Sequence, residues 1–205
     1  MSGRLVVAVT ALVAAAAGLA TGLLVAGGVL RSEVPAEGSA DVGFARDMQA
    51  HHAQAVEMAL LVRERSDDPE LRQVALDIEL TQQQQQGQMY GWLAVWGLPQ
   101  AGRSPAMAWA DGHGHGAADA GDDVVPMPGM ASDAQIADLR AATGADAERL
   151  FLELMIAHHE GGVAMARSAL ELATQPAVRR LAQAVVDSQT AEIAVLETLL
   201  ADVTR

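Results

Sequence analysis

Adjacent histidines are the residues in this sequence with the clearest capacity for chemistry. His51 and His52 follow Met48 by three and four residues, and the same Met-x-x-His-His pattern recurs at His158 and His159. Residues three and four apart share one face of an α-helix, so one turn can present imidazole nitrogens and a thioether to a single ion. Thioether sulfur favours Cu(I), and imidazole also suits Cu(II), zinc and nickel. The pattern predicts a soft-metal site, with copper as the leading candidate.

The surroundings of this pattern occur twice in the chain. Residues 44–96 align without a gap to residues 151–203, at an offset of 107. The matching positions are Phe44 and Phe151, Met48 and Met155, His51-His52 and His158-His159, Val56 and Val163, Met58-Ala59 and Met165-Ala166, Pro69 and Pro176, Arg72 and Arg179, and Gln82 and Gln189. An internal repeat predicts two equivalent sets of groups, which either face one another or form two similar sites.

Each copy of the repeat has the pattern of two helices around a short break. Asp68 can cap a helix that begins at Pro69, where a missing amide proton costs least. Pro176 marks the same start in the second copy, after Thr174 or Gln175. Short connections make neighbouring helices antiparallel. The sequence therefore predicts an all-α four-helix bundle from two repeated hairpins, with helices at about 44–64, 69–97, 146–172 and 176–202.

The histidine pairs fall on the apolar face of the first helix in each hairpin. The two faces contain Phe44, Met48, His51, His52, Ala55, Met58, Ala59 and Val62, and Phe151, Met155, His158, His159, Gly162, Met165, Ala166 and Ala169. A buried imidazole without a partner costs about 1–3 kcal/mol, so these histidines either bind metal or hydrogen-bond inside the core. Met58 and Met165 are equally consistent with a role as metal ligands and with a role as side chains that only fill the core. The glutamine run 82–86 is interpreted as a solvated or partly networked helix face.

The two copies are separated by residues 98–131, which are rich in glycine and proline and are typical of a linker or flexible loop. His113, His115, Met127 and Met130 could make this segment a metal-capture loop. A glycine-rich linker can also carry such residues without a role.

Two local features follow this linker. Ser132 and Gln135 have capping-box spacing for a short helix, which Gly144 could end. Gly161 and Gly162, directly after the second histidine pair, indicate either a close backbone approach near the site or a local kink.

The N-terminal segment has no charged residue from Leu5 to Leu30 and is long enough to cross about 30 Å of hydrocarbon as a helix. This length is typical of a signal anchor rather than of a cleavable signal peptide. The alternatives are a signal peptide cleaved near Gly38 to Ala40 and a buried core helix. We expect residues 1–36 to be a membrane anchor or signal segment. Residues 37–205 are then expected outside the cytoplasm, attached to the membrane or secreted.

Composition excludes several classes of protein. The formal charge of −13 argues against a nucleic-acid partner, because phosphate backbones require a basic surface. The chain has no cysteine, which excludes disulfides, iron–sulfur clusters and thiolate chemistry, so a soft metal must be bound by methionine and histidine.

These motifs resemble the DUF305 family, whose signature combines F-x-x-x-M-x-x-H-H-x-x-x-x-x-M-A, M-P-G-M and L-M-I-x-H-H-E-G. They occur here at 44–59, 127–130 and 154–161, within a resemblance that covers about 41–200. The resemblance implies a ferritin-like four-helix bundle, often exported, with copper or silver binding and metal tolerance described for some members. The implied metal-binding residues are Met48, His51, His52, Met58, Met127, Met130, Met155, His158, His159 and Met165. Gln54 replaces the signature glycine that Gly161 provides in the second copy, which argues against equal metal occupancy of the two halves.

Three functions compete at this point. The first is a non-enzymatic protein that sequesters copper, or Ag(I), or transfers it to a partner protein. The second is a ferritin-like metalloenzyme, although the Glu-x-x-His pairs of di-iron bundles are missing around these histidines. The third is a structural or partner-binding module with hydrogen-bonded histidines. The expected partners are a metal ion and the membrane, with a transfer protein and a second copy of the chain as further candidates.

Overall fold

The structure is a computed structural model that describes residue 19, residues 34–110 and residues 127–204. Within these residues every regular element is an α-helix, so the all-α prediction is confirmed. The helices are α1 (Ala40–Arg65), α2 (Pro69–Trp96), α3 (Asp133–Ala141), α4 (Ala145–Leu172) and α5 (Pro176–Val203). The four long helices lie where the repeat predicts them, and α1 begins four residues earlier than expected.

Two predicted segments fall outside the described residues. They are the charge-free N-terminal stretch, of which only Leu19 is described, and the part of the linker that carries His113 and His115. Among the described helices, none has the length and apolar character needed to cross a membrane.

The helix ends follow the predicted caps in most places. The Asp68 side chain accepts a hydrogen bond from the Leu71 amide at 2.8 Å, ahead of a helix that begins with proline. Ser132 and Gln135 form the expected capping box of α3. The prediction that Gly144 ends α3 is wrong, since α3 ends at Ala141 and Gly144 precedes α4 with a φ of 56°. The glycine is used there because its left-handed backbone turns the chain into the next helix.

The four long helices form two hairpins, α1 with α2 and α4 with α5, and the hairpins meet mainly through α1 and α4. An arginine at equivalent positions of the two copies links the helices within each hairpin. Arg72 donates to the carbonyls of Arg63 and Ser66 at the end of α1, and Arg179 donates to the equivalent carbonyls at the end of α4. These carbonyls have no partner within their own helix, so the arginines satisfy acceptors that would otherwise depend on water.

The hairpins also cap one another. Gln175 makes no side-chain cap at the start of α5. The buried carboxylate of Asp41, on α1, instead accepts hydrogen bonds from the Gln175 amide at 2.8 Å and from the Thr174 amide and hydroxyl. At the repeat-equivalent place, Glu148 on α4 accepts from the Ser66 hydroxyl at 2.7 Å. The first turn of α5 is thus stabilised by the other hairpin.

The core contains two apolar clusters. One includes Met58, Phe151 and Met155, and the other includes Met48 and Met165. The predicted faces of α1 and α4 are buried at every position. Both histidine pairs belong to these buried faces but to neither cluster. They lie along each helix between methionines of the two clusters and form a polar layer in the middle of the core.

A short loop, residues 127–131, covers this layer. Gln54 on α1 holds the loop by two hydrogen bonds with the backbone of Ala131, at 2.8 and 2.7 Å. On the other side the loop touches α4, where a Cβ added to Gly161 would lie 2.0 Å from the carbonyl oxygen of Pro128. The predicted close backbone approach at Gly161 is therefore present, because only glycine leaves room for the loop.

A second segment of the linker packs on α1. Asp47 accepts hydrogen bonds from the Met107 amide and the Trp109 indole, both at 2.7 Å. The indole lies against Gly43 and makes an edge contact with Phe44, with ring centroids 6.0 Å apart. Met107 has a φ of 65°, a conformation that these hydrogen bonds help to hold. Both described parts of the linker are thus attached to the helices.

The close contact at Gly161 gives a stability prediction. Gly161→Ala should lower the free energy of unfolding by about 1–3 kcal/mol, because the added methyl group forces the 127–131 loop away from α4. Gly87→Ala is the matched control, since nothing lies within 4 Å of a Cβ at this position in α2. The control should raise stability by up to about 1 kcal/mol through helix propensity. Urea unfolding of both variants measures the difference, and equal effects would contradict the packing described.

Candidate metal centre

Four imidazoles meet where α1 and α4 pack together. The rings of His51 and His158 lie face to face, with centroids 3.7 Å apart and planes inclined by 32°. His52 lies 6.4 Å from His51 and His159 lies 6.3 Å from His158, again between ring centroids. All four side chains are completely buried. The two sequence motifs therefore form one cluster rather than two distant sites.

The central pair of histidines hydrogen-bonds to backbone carbonyls. The Nε2 atom of His51 lies 3.0 Å from the carbonyl oxygen of Pro128, and that of His158 lies 2.9 Å from the carbonyl oxygen of His51. A carbonyl oxygen can only accept a hydrogen bond, so both Nε2 atoms must donate. In the neutral imidazole the proton is then on Nε2, and Nδ1 presents a lone pair.

The outer pair of histidines uses side chains from the second helix of its own hairpin. His52 donates from Nε2 to Oε1 of Gln85, and His159 donates from Nε2 to Oε2 of Glu192, both over 2.6 Å. These bonds select the same tautomer as in the central pair. Each histidine and its acceptor are 33 residues apart, so the two contacts are repeat equivalents.

The four Nδ1 atoms are buried without a hydrogen-bond partner. An unpaired buried acceptor is costly, and four in one cluster are unusual in a folded protein. The arrangement matches the one found around metal-binding histidines, in which one ring nitrogen is hydrogen-bonded to an oxygen and the other is free for the ion. The residues present therefore fit a metal ion bound through Nδ1.

Burial keeps the imidazoles of His51, His52 and His158 neutral by lowering their pKa values. It lowers the pKa of His51 to about 4, with the Pro128 hydrogen bond opposing the shift and the nearby His159 adding to it. Burial, with a contribution from His51, lowers the pKa of His52 to about 3. The pKa of His158 is lowered well below its usual value, first by burial and then by the neighbouring histidines. Neutral imidazole is the form that binds metal.

Thioethers lie on both sides of the imidazole layer. Met48 and Met165 share one apolar cluster with Met89, and Met58 and Met155 share the other. All five are completely buried. The repeat and the antiparallel contact of α1 with α4 thus place one pair of motif methionines at each side of the four histidines.

The methionines of the 127–131 loop lie at the edge of the centre. Met127 is half-buried and packs against the cluster that contains Met48, and Met130 is also half-buried. The Met130 amide donates to the Met127 carbonyl at 3.2 Å, which closes the turn. The loop also supplies the carbonyl acceptor for His51, so its conformation is coupled to the central histidines.

Two glutamines of the 82–86 run, which was interpreted as a solvated or partly networked helix face, lie in the core. Gln82 and Gln85 are buried and Gln83 and Gln84 are exposed, so the face is solvated only in part, and Gln85 is networked with His52. The side-chain amides of Gln82 and its repeat equivalent Gln189 have no hydrogen-bond partner.

A usable signal for these residues was present in the sequence. In α2 the two buried glutamines continue the apolar stripe of Ala75, Ile78, Met89 and Leu93 at helical spacing. The same spacing in α5 leads from Gln189 to Glu192.

The centre is not a preassembled site of imidazole and carboxylate ligands. Across residues 34–110 and 127–204, no three His, Asp or Glu side chains are arranged to hold a metal ion together. An ion in this layer would have to combine imidazole with thioether ligands and turn some of the rings. This combination suits soft, univalent ions.

Solved structures share this fold. A DUF305 protein from Streptomyces coelicolor, provisionally described as secreted, is 44% identical, with a TM-score of 0.75 over 82% of this chain and 96% of the solved one. A DUF305 fragment from Deinococcus radiodurans is 38% identical, with a TM-score of 0.65 over 80% and 96%. CopM in its Cu(I)-bound form is 24% identical, with a TM-score of 0.58 over 79% and 96%, a likeness that shows the fold alone.

No curated protein matches the chain. The family model described as a domain of unknown function, DUF305, matches residues 41–200, which is most of the sequence and includes the whole imidazole layer with its flanking methionines. The chain therefore belongs to the DUF305 family.

Proposed function

We propose that this protein binds copper as Cu(I), with Ag(I) as a close chemical analogue, and sequesters it or transfers it to another protein. The candidate ligands are the Nδ1 atoms of His51, His52, His158 and His159 and the thioethers of Met48, Met58, Met155 and Met165. Each bound ion takes a subset of these donors. Copper is the cargo of the protein in this proposal and takes part in no reaction there.

The four unpartnered Nδ1 atoms carry this proposal. A purely structural role for the histidines would leave four buried acceptors unpaired, at about 1–3 kcal/mol each. Metal ligation would replace this cost with four coordinate bonds. The hydrogen bonds at Nε2 already fix the ring tautomer that ligation requires.

The kind of ion follows from the donor atoms. Histidine and methionine are the ligands at hand, and no cysteine thiolate is available. Thioether sulfur is a soft donor that selects Cu(I) over zinc, magnesium and calcium. CopM, which has the same fold, has been solved with Cu(I), Cu(II) and silver, in agreement with this choice of ion.

The 127–131 loop is the proposed route for the ion. Met127 and Met130 are less buried than the motif methionines, and they belong to the loop whose Pro128 carbonyl accepts the hydrogen bond of His51. In this proposal they receive an ion and pass it inward. His113 and His115 could assist capture from the part of the linker that the structure does not describe.

The proposed location is outside the cytoplasm. Residues 1–36 would serve as a membrane anchor or a cleaved signal, and residues 37–205 as the exported copper-binding domain. The charge-free stretch from Leu5 to Leu30 supports this view. A DUF305 relative that is provisionally described as secreted agrees with it. Transfer would require a partner protein, for which the loop is the accessible part of the centre.

Replacement of the motif methionines tests the thioether ligands. The double variant Met48→Leu/Met155→Leu should fold, since exchange of methionine for leucine in a core usually costs less than about 1.5 kcal/mol. We expect it to bind Cu(I) at least about tenfold more weakly in anaerobic titration against a competing chelator, because two soft ligands are lost.

Met89→Leu is the matched control for this experiment. Met89 is also fully buried beside Met48, but its repeat equivalent is Leu196, so leucine is accommodated at this position in the other hairpin. The control should retain full Cu(I) affinity. If the double variant binds Cu(I) as tightly as the control, the motif methionines are core fillers and the proposed ligand set is wrong.

The lowered pKa values predict how acid acts on the metal-free protein. The unfolded chain takes up protons near pH 6.5, whereas buried His51 and His52 remain neutral until about pH 4 and 3. The unfolded state therefore binds more protons in this window, and stability must fall as the pH falls. The expected slope is about 1.4 kcal/mol per pH unit for each such histidine. Urea unfolding at pH 7.5, 6 and 5 measures it, and stability that stays constant would contradict the burial of neutral imidazoles.

A further inference from the structure

The two halves of the imidazole layer differ in one charged group. Gln85 and Glu192 occupy equivalent positions of the repeat, and each accepts the Nε2 proton of its histidine over the same 2.6 Å. One acceptor is a neutral amide and the other is a carboxylate. The hydrogen bond made by the outer histidine is thus alike in the two halves, while the charge of its acceptor is not.

In the described part of the chain, Glu192 is also the one charged group among the hydrogen-bond acceptors of the four imidazoles. The other acceptors of the four imidazoles are the carbonyls of Pro128 and His51 and the amide of Gln85. Buried Gln82 and Gln189 are neutral as well. The side chain of Glu192 is 27% exposed, so solvent screens its charge only in part.

A buried ion must have its charge balanced. Neutral imidazoles and thioethers leave the full charge of the ion uncompensated, which is tolerable for a univalent ion and much worse for a divalent one. A carboxylate that accepts a proton from a ligating histidine makes the imidazole a stronger donor and adds a negative charge close to the ion. Imidazole is itself a good ligand for Cu(II).

We propose that the two halves select ions of different charge. The half formed by α4 and α5, in which Glu192 positions His159, binds divalent copper, and the half formed by α1 and α2, in which Gln85 positions His52, binds only the univalent ion. This inference rests on the proposed copper binding and assigns Glu192 as a positioning residue that determines specificity. One chain would then hold copper in both oxidation states.

An exchange of the two acceptors tests this assignment. Titrations with Cu(II), followed by electron paramagnetic resonance, and with Ag(I), a univalent ion that is not redox-active under these conditions, are performed against competing chelators. The full chain is compared with Glu192→Gln, Gln85→Glu and the double variant that carries both changes. Each residue introduced is the one that the other half of the repeat already accommodates, so folding should be retained, and thermal unfolding of the metal-free variants verifies it.

Glu192→Gln should weaken Cu(II) binding by about 10- to 100-fold, the usual effect of losing such a partner, and should weaken Ag(I) binding less, because the lost negative charge matters more for a divalent ion. Gln85→Glu should add a second tight Cu(II) ion. The double variant should recover the Cu(II) affinity of the original chain, because the carboxylate has only moved to the other half.

Three results would overturn the inference. They are an unchanged Cu(II) affinity in Glu192→Gln, equal losses for Cu(II) and Ag(I), and a double variant that remains as weak as Glu192→Gln. Failure of the proposed function is distinguishable from these outcomes, since the original chain would then bind neither Ag(I) nor Cu(II).

Discussion

The burial of four imidazoles is the constraint on which the rest of this structure depends. Each ring brings two polar nitrogens into the middle of the core, and each Nε2 proton must find an oxygen acceptor there. The fold provides four acceptors of three kinds: two backbone carbonyls, an amide and a carboxylate. The second helix of each hairpin supplies one of them, α1 supplies another, and the loop supplies the fourth at Pro128. The helix contacts and the position of the loop are thus tied to the requirements of the histidines.

Much of this architecture could be predicted from the sequence. The helical period placed both histidine pairs on buried faces, and every residue assigned to these faces is buried. The caps at Asp68 and Ser132 were readable because their side chains act within three residues along the chain. The repeat indicated that two sets of ligands would occupy related positions.

The contacts between distant residues could not be predicted. The carbonyl acceptor of His51 lies 77 residues away in a proline- and glycine-rich loop, and that of His158 lies in the other hairpin. No local pattern encodes the face-to-face packing of His51 and His158. The sequence left open whether Gln85 is solvated or networked, because polarity alone does not distinguish a surface amide from one that satisfies a buried ring. A stripe of helical spacing would have been the better guide.

The cap that Asp41 supplies to the start of α5 makes the stability of each copy of the repeat depend on the other. Each hairpin resembles a unit that could exist alone, yet the Gln175 amide at the start of α5 donates to a carboxylate from α1, and Glu148 makes the return contact with Ser66. Two such reciprocal contacts, at opposite ends of the α1 and α4 pair, make the hairpins interdependent. The two copies could be separated by proteolysis in the linker or by expression of one half. Separation would expose the imidazole layer and would also remove the Asp41 cap from α5. We therefore expect the two copies of the repeat to fold and unfold together.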